Sequence, residues 1–257
     1  MLLLKEFCIR FLIMIGQRAR ILLMAIGLLS AAPLAAQQVV RYRSNAFDLK
    51  TGKYLYTENH AEHWQNGAHA YSIVTYTDPS GKVMAVKKIV FTKSKVAPSF
   101  DLDDKRTGLQ EGAQNNGSTV LLYHRDAASE QKQSKSLSIP SPVVIDGGFD
   151  YFVRSNLQTL MAGKVLTGNF AVPHRLDYFK CRIYKVKDLT FLKRDAVMLV
   201  MEPTNIVIRQ LADPIYIIYD KKTGRLLRFS GVSNLEGPDG NNYRVHIVFR
   251  YPDELLP

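Results

Sequence analysis

Six side chains with chemical character, Tyr54, Tyr56, Glu58, His60, Glu62 and Trp64, recur at every second position of KYLYTENHAEHW. A β-strand turns alternate side chains to the same side, so all six share one face. Two carboxylates and an imidazole are ligand types for a divalent metal, and they also supply acid–base groups. A metal-assisted hydrolase using Glu58, His60 and Glu62 is therefore one functional reading. The spacing weakens it, because alternate side chains on one strand stand about 7 Å apart, too far for tetrahedral coordination without a bend. A half-solvated polar face is the simpler account. His63 falls on the opposite face, and ENHAEH lacks the HExxH order that places two histidines one helical turn apart.

Other catalytic patterns are missing from the sequence. It has no GxSxG, no Cys–His arrangement, no phosphate-cradling glycine loop and no zinc spacing. DLDDKRTG at 101–108 gathers three carboxylates but lacks the glycine-centred calcium-loop pattern and its closing Glu. We assign no catalytic residue, no metal ligand and no cofactor from the sequence.

The elements that position these residues begin with a hairpin. Asn66-Gly67 is a two-residue turn signal between the 53–64 and 68–78 strands. With these residues at the turn centre, Trp64 faces His69, Glu62 faces Tyr71 and His60 faces Ile73. A third strand follows at 82–94. Residues 97–117 carry no period and read as a long loop. A short strand at 118–125 precedes a polar, solvent-facing excursion at 126–136. Later strands are expected at 165–172, 175–187, 195–203, 214–220, 225–234 and 243–251, with NIVIRQL at 205–211 open between helix and strand.

One segment breaks this run of strands. In VIDGGFDYFVRSNLQTLMAGK, 144–164, Phe149, Phe152, Val153, Leu157, Leu160 and Met161 recur at spacings of three and four, which gathers them on one helical face. Asp146 suits the N-cap, Asp150 favours the first turn, and Gly163 suits the left-handed position after the last turn. Asn156 lies within the apolar stripe, either as a hydrogen-bonded register device or as a polar contact in a cavity.

The fold class expected is mainly β (α+β). A large curved antiparallel sheet or half-open barrel of roughly nine to eleven strands packs on one main helix, about 147–162, because a sheet that large must curl or split. A two-sheet sandwich with the helix at one end is the alternative.

Residues 1–36 read as a cleavable signal peptide. Arg18 and Arg20 precede the apolar run ILLMAIGLL, which ends in SAAPLAA, with cleavage expected after Ala36. Initiation at Met14 would give a leader of more ordinary length, and an uncleaved N-terminal anchor is the alternative. No Cys stands at the cleavage zone, so no lipid-modified N-terminus is expected. Residues 37–257 are read as a single β-rich domain in the periplasm. Residues 1–36 hold four basic residues and one acidic residue of the chain's 34 and 23, so 37–257 carry 30 against 22, net +8. That surplus favours anionic envelope surfaces as partners, and export argues against nucleic acid. Only Cys181 remains after the leader, so no internal disulfide forms, and it reads as a small buried hydrophobe.

Several segments together resemble a family of exported proteins of Gram-negative bacteria: DLKTGKYLYTE at 48–58, YTDPSGKVMAVKKIVF at 76–91, RTGLQEG at 106–112, the 144–164 segment, and YDKKTGRLLRFSGVSN at 219–234. The family implies export but no activity. In architecture the chain is also distantly similar to periplasmic lipoprotein carriers, whose open β-barrel curls over helices around an apolar cavity. That likeness implies a non-catalytic binding protein for a lipid, acyl chain or other hydrophobe, in envelope maintenance or transport. Phe149, Phe152, Asn156, Leu157, Leu160 and Met161 are the expected ligand-binding residues. An envelope scaffold is a further reading.

Overall fold

A computed structural model of the chain describes residues 37–252. The expected leader and its cleavage site lie outside the described residues. None of the described helices is long and apolar enough to cross a membrane.

The described residues form one sheet of fifteen strands rather than nine to eleven. The first eight are β1 (Gln37–Asp48), β2 (Tyr54–Gln65), β3 (Ala68–Thr77), β4 (Val83–Val90), β5 (Ser99–Asp104), β6 (Gln110–Asn115), β7 (Val120–Arg125) and β8 (Gln133–Leu137). The rest are β9 (Val143–Val144), β10 (Leu166–Val172), β11 (Asp177–Phe191), β12 (Arg194–Pro203), β13 (Ile215–Asp220), β14 (Leu226–Glu236) and β15 (Asn242–Arg250). The order is two meanders back to back, β8 to β1 followed by β15 to β9, joined where β1 pairs antiparallel with β15. Only β9 pairs parallel, with β10.

Three differences from the sequence expectation have physical causes. The 97–117 segment is not a loop: it holds β5 and β6. Their inward positions include Asp104, held by the nearby Arg106, and Glu111, held by Asn234 of β14, so the apolar alternation is cut to Phe100 and Leu102. The polar 126–136 stretch leads into the edge strand β8, whose side chains are mostly exposed. The β1 strand, polar at its outer end, becomes central only because β15 returns to pair with it.

The Asn66-Gly67 turn forms, with φ of 51° and 74°. Trp64 pairs with His69 as expected, but an irregularity between His63 and Trp64 shifts the register beyond it. His63 therefore faces Tyr71, Glu62 faces Ser72 and His60 faces Val74. A bulge adds one residue to a strand and displaces every later pair.

The main helix is two helices, α1 (Gly148–Ser155) and α2 (Leu157–Met161). The break is at Asn156, whose side-chain Nδ2 donates to the Phe152 carbonyl at 2.8 Å while its backbone N–H donates to Val153, three residues back. A side chain that bonds its own helix backbone competes with the regular ladder. Asp146 does not cap α1. It sits at φ 38°, and Gly147 takes the N-cap position without a side-chain cap. Gly148 is required there: a Cβ would lie 2.0 Å from the Val96 carbonyl oxygen. Gly163 takes the left-handed position expected, at φ +81°. The ambiguous 205–211 segment contains the short helix α3 (Ile206–Leu211), capped by the Asn205 side chain on Val207 and Ile208.

The sheet curls until distant strands touch. Asn234 on β14 donates to Glu111 on β6 at 2.5 Å, although β14 stands seven places from β6 in the strand order. The Tyr56 hydroxyl meets Ser233 at 2.7 Å, and a 3-10 turn, Pro173–Arg175, packs against β6 and β7. One apolar core fills the β2–β7 side around Tyr56, Leu102 and Leu122. A second joins α1 and α2 to β11–β13 through Phe152, Leu160, Ile183, Leu199 and Ile217.

Candidate functional site: the cavity inside the curl

Between the concave face of the sheet and α1 lies a cavity of about 720 Å3. Ligand pockets usually span about 300–1,000 Å3, so this one has room for a small amphiphile. Its walls mix aromatic and aliphatic side chains with carboxyl, imidazole and basic groups.

Glu58, His60, Glu62 and Trp64 all reach this cavity, as the alternation along β2 requires. Tyr56 instead lies in the core, hydrogen-bonded to Ser233. Glu58 and His60 are engaged with Ser44, which donates to Glu58 Oε2 at 2.6 Å and lies 3.0 Å from His60 Nε2. The same His60 nitrogen is 3.2 Å from Glu58. A nucleophile–base–acid relay needs the two imidazole nitrogens to bridge different partners. Here one nitrogen serves both, and Ser44 is fully buried. Burial raises Glu58, but bonds from His60 and Ser44 outweigh it and leave the carboxyl below its ordinary value. Glu62 bonds neither Ser44 nor His60 and accepts from the Trp64 indole at 3.3 Å. Among the described residues, no three His, Cys, Asp or Glu side chains converge in a metal-binding arrangement.

The helix presents a different face from the one expected. Of the expected ligand-binding residues, Phe149 alone lines the cavity. Phe152, Leu157 and Leu160 are buried in the core against β11–β13, Met161 packs on the same cluster, and Asn156 is closed onto the Phe152 carbonyl. The physical reason is the width of the stripe. The sheet absorbs its centre, so the cavity receives the flanking residues Phe149, Asp150, Tyr151 and Arg154.

Those flanking residues are held firmly. Tyr151 bonds His69 Nδ1 at 2.8 Å, and His69 Nε2 meets Ser72 at 2.9 Å. Burial brings the His69 imidazole down to about 4, so it is neutral at pH 7. Asp150 accepts from Tyr219 at 3.1 Å and from Arg154 at 3.3 Å, and burial raises its carboxyl despite both. Lys87 reaches across from β4 to Asp146 at 3.0 Å. On the β1–β15 side a row of flat groups forms a shelf: His60 stacks on Tyr42 at 4.4 Å, Tyr42 meets Tyr251 at 4.7 Å, and the Arg225 guanidinium lies 5.2 Å above Tyr251.

Tyr42, Arg154 and Tyr251 are not singled out by the sequence. Period-2 alternation marks which residues on a strand share a face, but only the curl tells which face is concave.

No protein-family model matches the sequence, and no curated protein matches it. Among solved structures the chain is similar to a β-barrel-like protein, a domain of unknown function, from Brucella abortus. The identity is 8% and the TM-score 0.42, over 85% of this chain and 100% of that one. It is also similar to a domain from Vibrio parahaemolyticus described as a candidate outer membrane lipoprotein-sorting protein. That identity is 10% and the TM-score 0.27, over 84% of this chain and 85% of that one. Similarity at this level carries no argument about role. The geometry itself defines the class: a β protein whose single open sheet curls around a cavity of mixed polarity.

Proposed function

We propose that the protein is a non-catalytic periplasmic binding protein that holds a lipid or other hydrophobic ligand, in envelope maintenance or transport. The observation that carries this reading is the cavity of about 720 Å3 on the concave face, part apolar and part polar. Export is the sequence reading of residues 1–36. The bonding of Glu58 and His60 to Ser44 uses these groups structurally, which favours binding over hydrolysis.

The proposed meeting with an anionic envelope surface has a physical counterpart in α3. Ile206 and Val207 are each 62% exposed and Leu211 is 85% exposed, on a short helix whose Arg209 pairs with Glu202 at 3.2 Å. Exposed apolar side chains gathered on one short helix suit the boundary of a bilayer.

Native mass spectrometry of protein purified from its own envelope tests the reading. A co-purifying amphiphile, retained in gentle ionisation and lost on denaturation, is expected. Protein that carries nothing and takes up nothing from lipid vesicles would overturn it.

A further inference from the structure

Within that binding reading, the charges on the cavity wall specify the headgroup. Most charged groups facing the cavity have partners: Lys87 with Asp146, Arg154 with Asp150, and Glu58 with His60 and Ser44. Two do not. Glu62 is only 8% exposed, yet its side-chain partners are the neutral Trp64 indole and Tyr42 hydroxyl, and no described cation pairs with it. Arg225 rests on the Tyr251 ring and pairs with no described carboxylate. A buried carboxylate and a guanidinium left without ionic partners are costly unless something else neutralises them.

The two groups address the same space. Both line the cavity, with the Tyr42–Tyr251 shelf between them. Both act on Tyr151: burial first and then Glu62 push its phenol up to about 12, while Arg225 pulls the other way. The cavity as a whole is acidic although the chain is basic. Seven carboxyl groups and three Lys or Arg residues face it, in a protein of net charge +11. Such a lining opposes a purely anionic amphiphile.

We propose that the cavity takes an amphiphile with a zwitterionic headgroup, its ammonium against Glu62 and the ring of Trp64, and its phosphate or carboxylate against Arg225. Aromatic faces beside a carboxylate suit an ammonium, and a guanidinium suits an oxyanion. The tail lies along Phe149, Phe170, Met201, Ile215, Leu226 and Phe229, which border the second core.

Trp64 is the chain's one tryptophan and bonds Glu62, so its fluorescence reports on this headgroup site. The test titrates the protein, below the micelle threshold, with dodecanoyl lysophosphatidylethanolamine and with dodecanoyl lysophosphatidylglycerol. A charge-assisted contact makes the zwitterionic probe bind about tenfold or more tighter. Glu62→Gln is expected to remove that preference, weakening the zwitterionic probe and not the anionic one, and Arg225→Gln to weaken both probes. Free phosphoethanolamine, which lacks a tail, leaves Trp64 emission unchanged at the same concentration. Equal affinity of wild-type protein for the two probes, or equal response to free phosphoethanolamine, overturns the headgroup assignment while the cavity reading stands. Failure of every tailed probe to bind overturns the cavity reading itself.

Discussion

Lys87 places its ammonium 3.0 Å from an Asp146 carboxylate oxygen, with the two side chains only 12% and 8% exposed. Burial alone would lower the ammonium, but Asp146 outweighs it and holds Lys87 above its ordinary value. The pair ties the middle of β4 to the left-handed residue just before α1, so it fixes where the helix enters the curl.

Removing one partner strands the other charge. Lys87→Met or Asp146→Ala should each cost about 3–5 kcal/mol. The double variant Lys87→Met/Asp146→Ala should lose clearly less than the sum, since no buried charge is left alone. Guanidinium unfolding of the four proteins measures this cycle, and strictly additive losses would show that the pair is not coupled.

The burial of His69 predicts a pH dependence with a definite sign. His69 has a folded value of about 4 against an ordinary 6.5, so the unfolded chain binds the extra proton between those values. Its contribution is complete above pH 6.5 and is lost as pH falls toward 4. The loss is up to about 3 kcal/mol, because each unit is worth about 1.4 kcal/mol. His69→Gln should flatten this part of the stability profile, measured as denaturant midpoints across that range.

The two faces of the helical segment should respond differently to truncation. Leu160 is fully buried among apolar side chains, so Leu160→Ala should cost about 2–5 kcal/mol and leave bound ligand unchanged. Phe149→Ala should cost less than about 2 kcal/mol, because that ring is already partly open to the cavity. It should broaden the range of tails that co-purify, read by native mass spectrometry. Altered ligand selectivity in Leu160→Ala instead would place the binding face back on the apolar stripe.

Cys181 should be unreactive in the folded protein. It is a free cysteine, 7% exposed, and burial pushes its thiol up to about 11. The thiolate is the reactive form, so at pH 8 a disulfide reagent should modify it no faster than the fold opens. Prompt labelling without denaturant would contradict the burial of β11.

Local chemistry made part of this legible in the sequence. Alternation along β2 puts Glu58, His60, Glu62 and Trp64 on one wall because a strand has a period of two, whatever surrounds it. Asn66-Gly67 and Gly163 announce their positions because few residues tolerate positive φ. The 3.6-residue rhythm found the helical segment, and Cys181 read correctly as buried.

Long-range contacts decided the rest. Glu111 looks like a loop residue until Asn234, far along the chain on β14, satisfies it in β6. One irregularity beside His63 moved the partners of Glu62 and His60, which no turn rule fixes. Phe152 and Phe149 belong to the same sequence stripe, but the sheet buries the first and leaves the second at the cavity. Tyr42, Tyr251 and Arg225 form a shelf only because β1 and β15, at opposite ends of the described chain, pair side by side. Periodicity is a property of a few consecutive bonds and can be read from the sequence. Which face becomes the inside depends on how the whole sheet curls, and that is set by contacts between residues far apart in the chain.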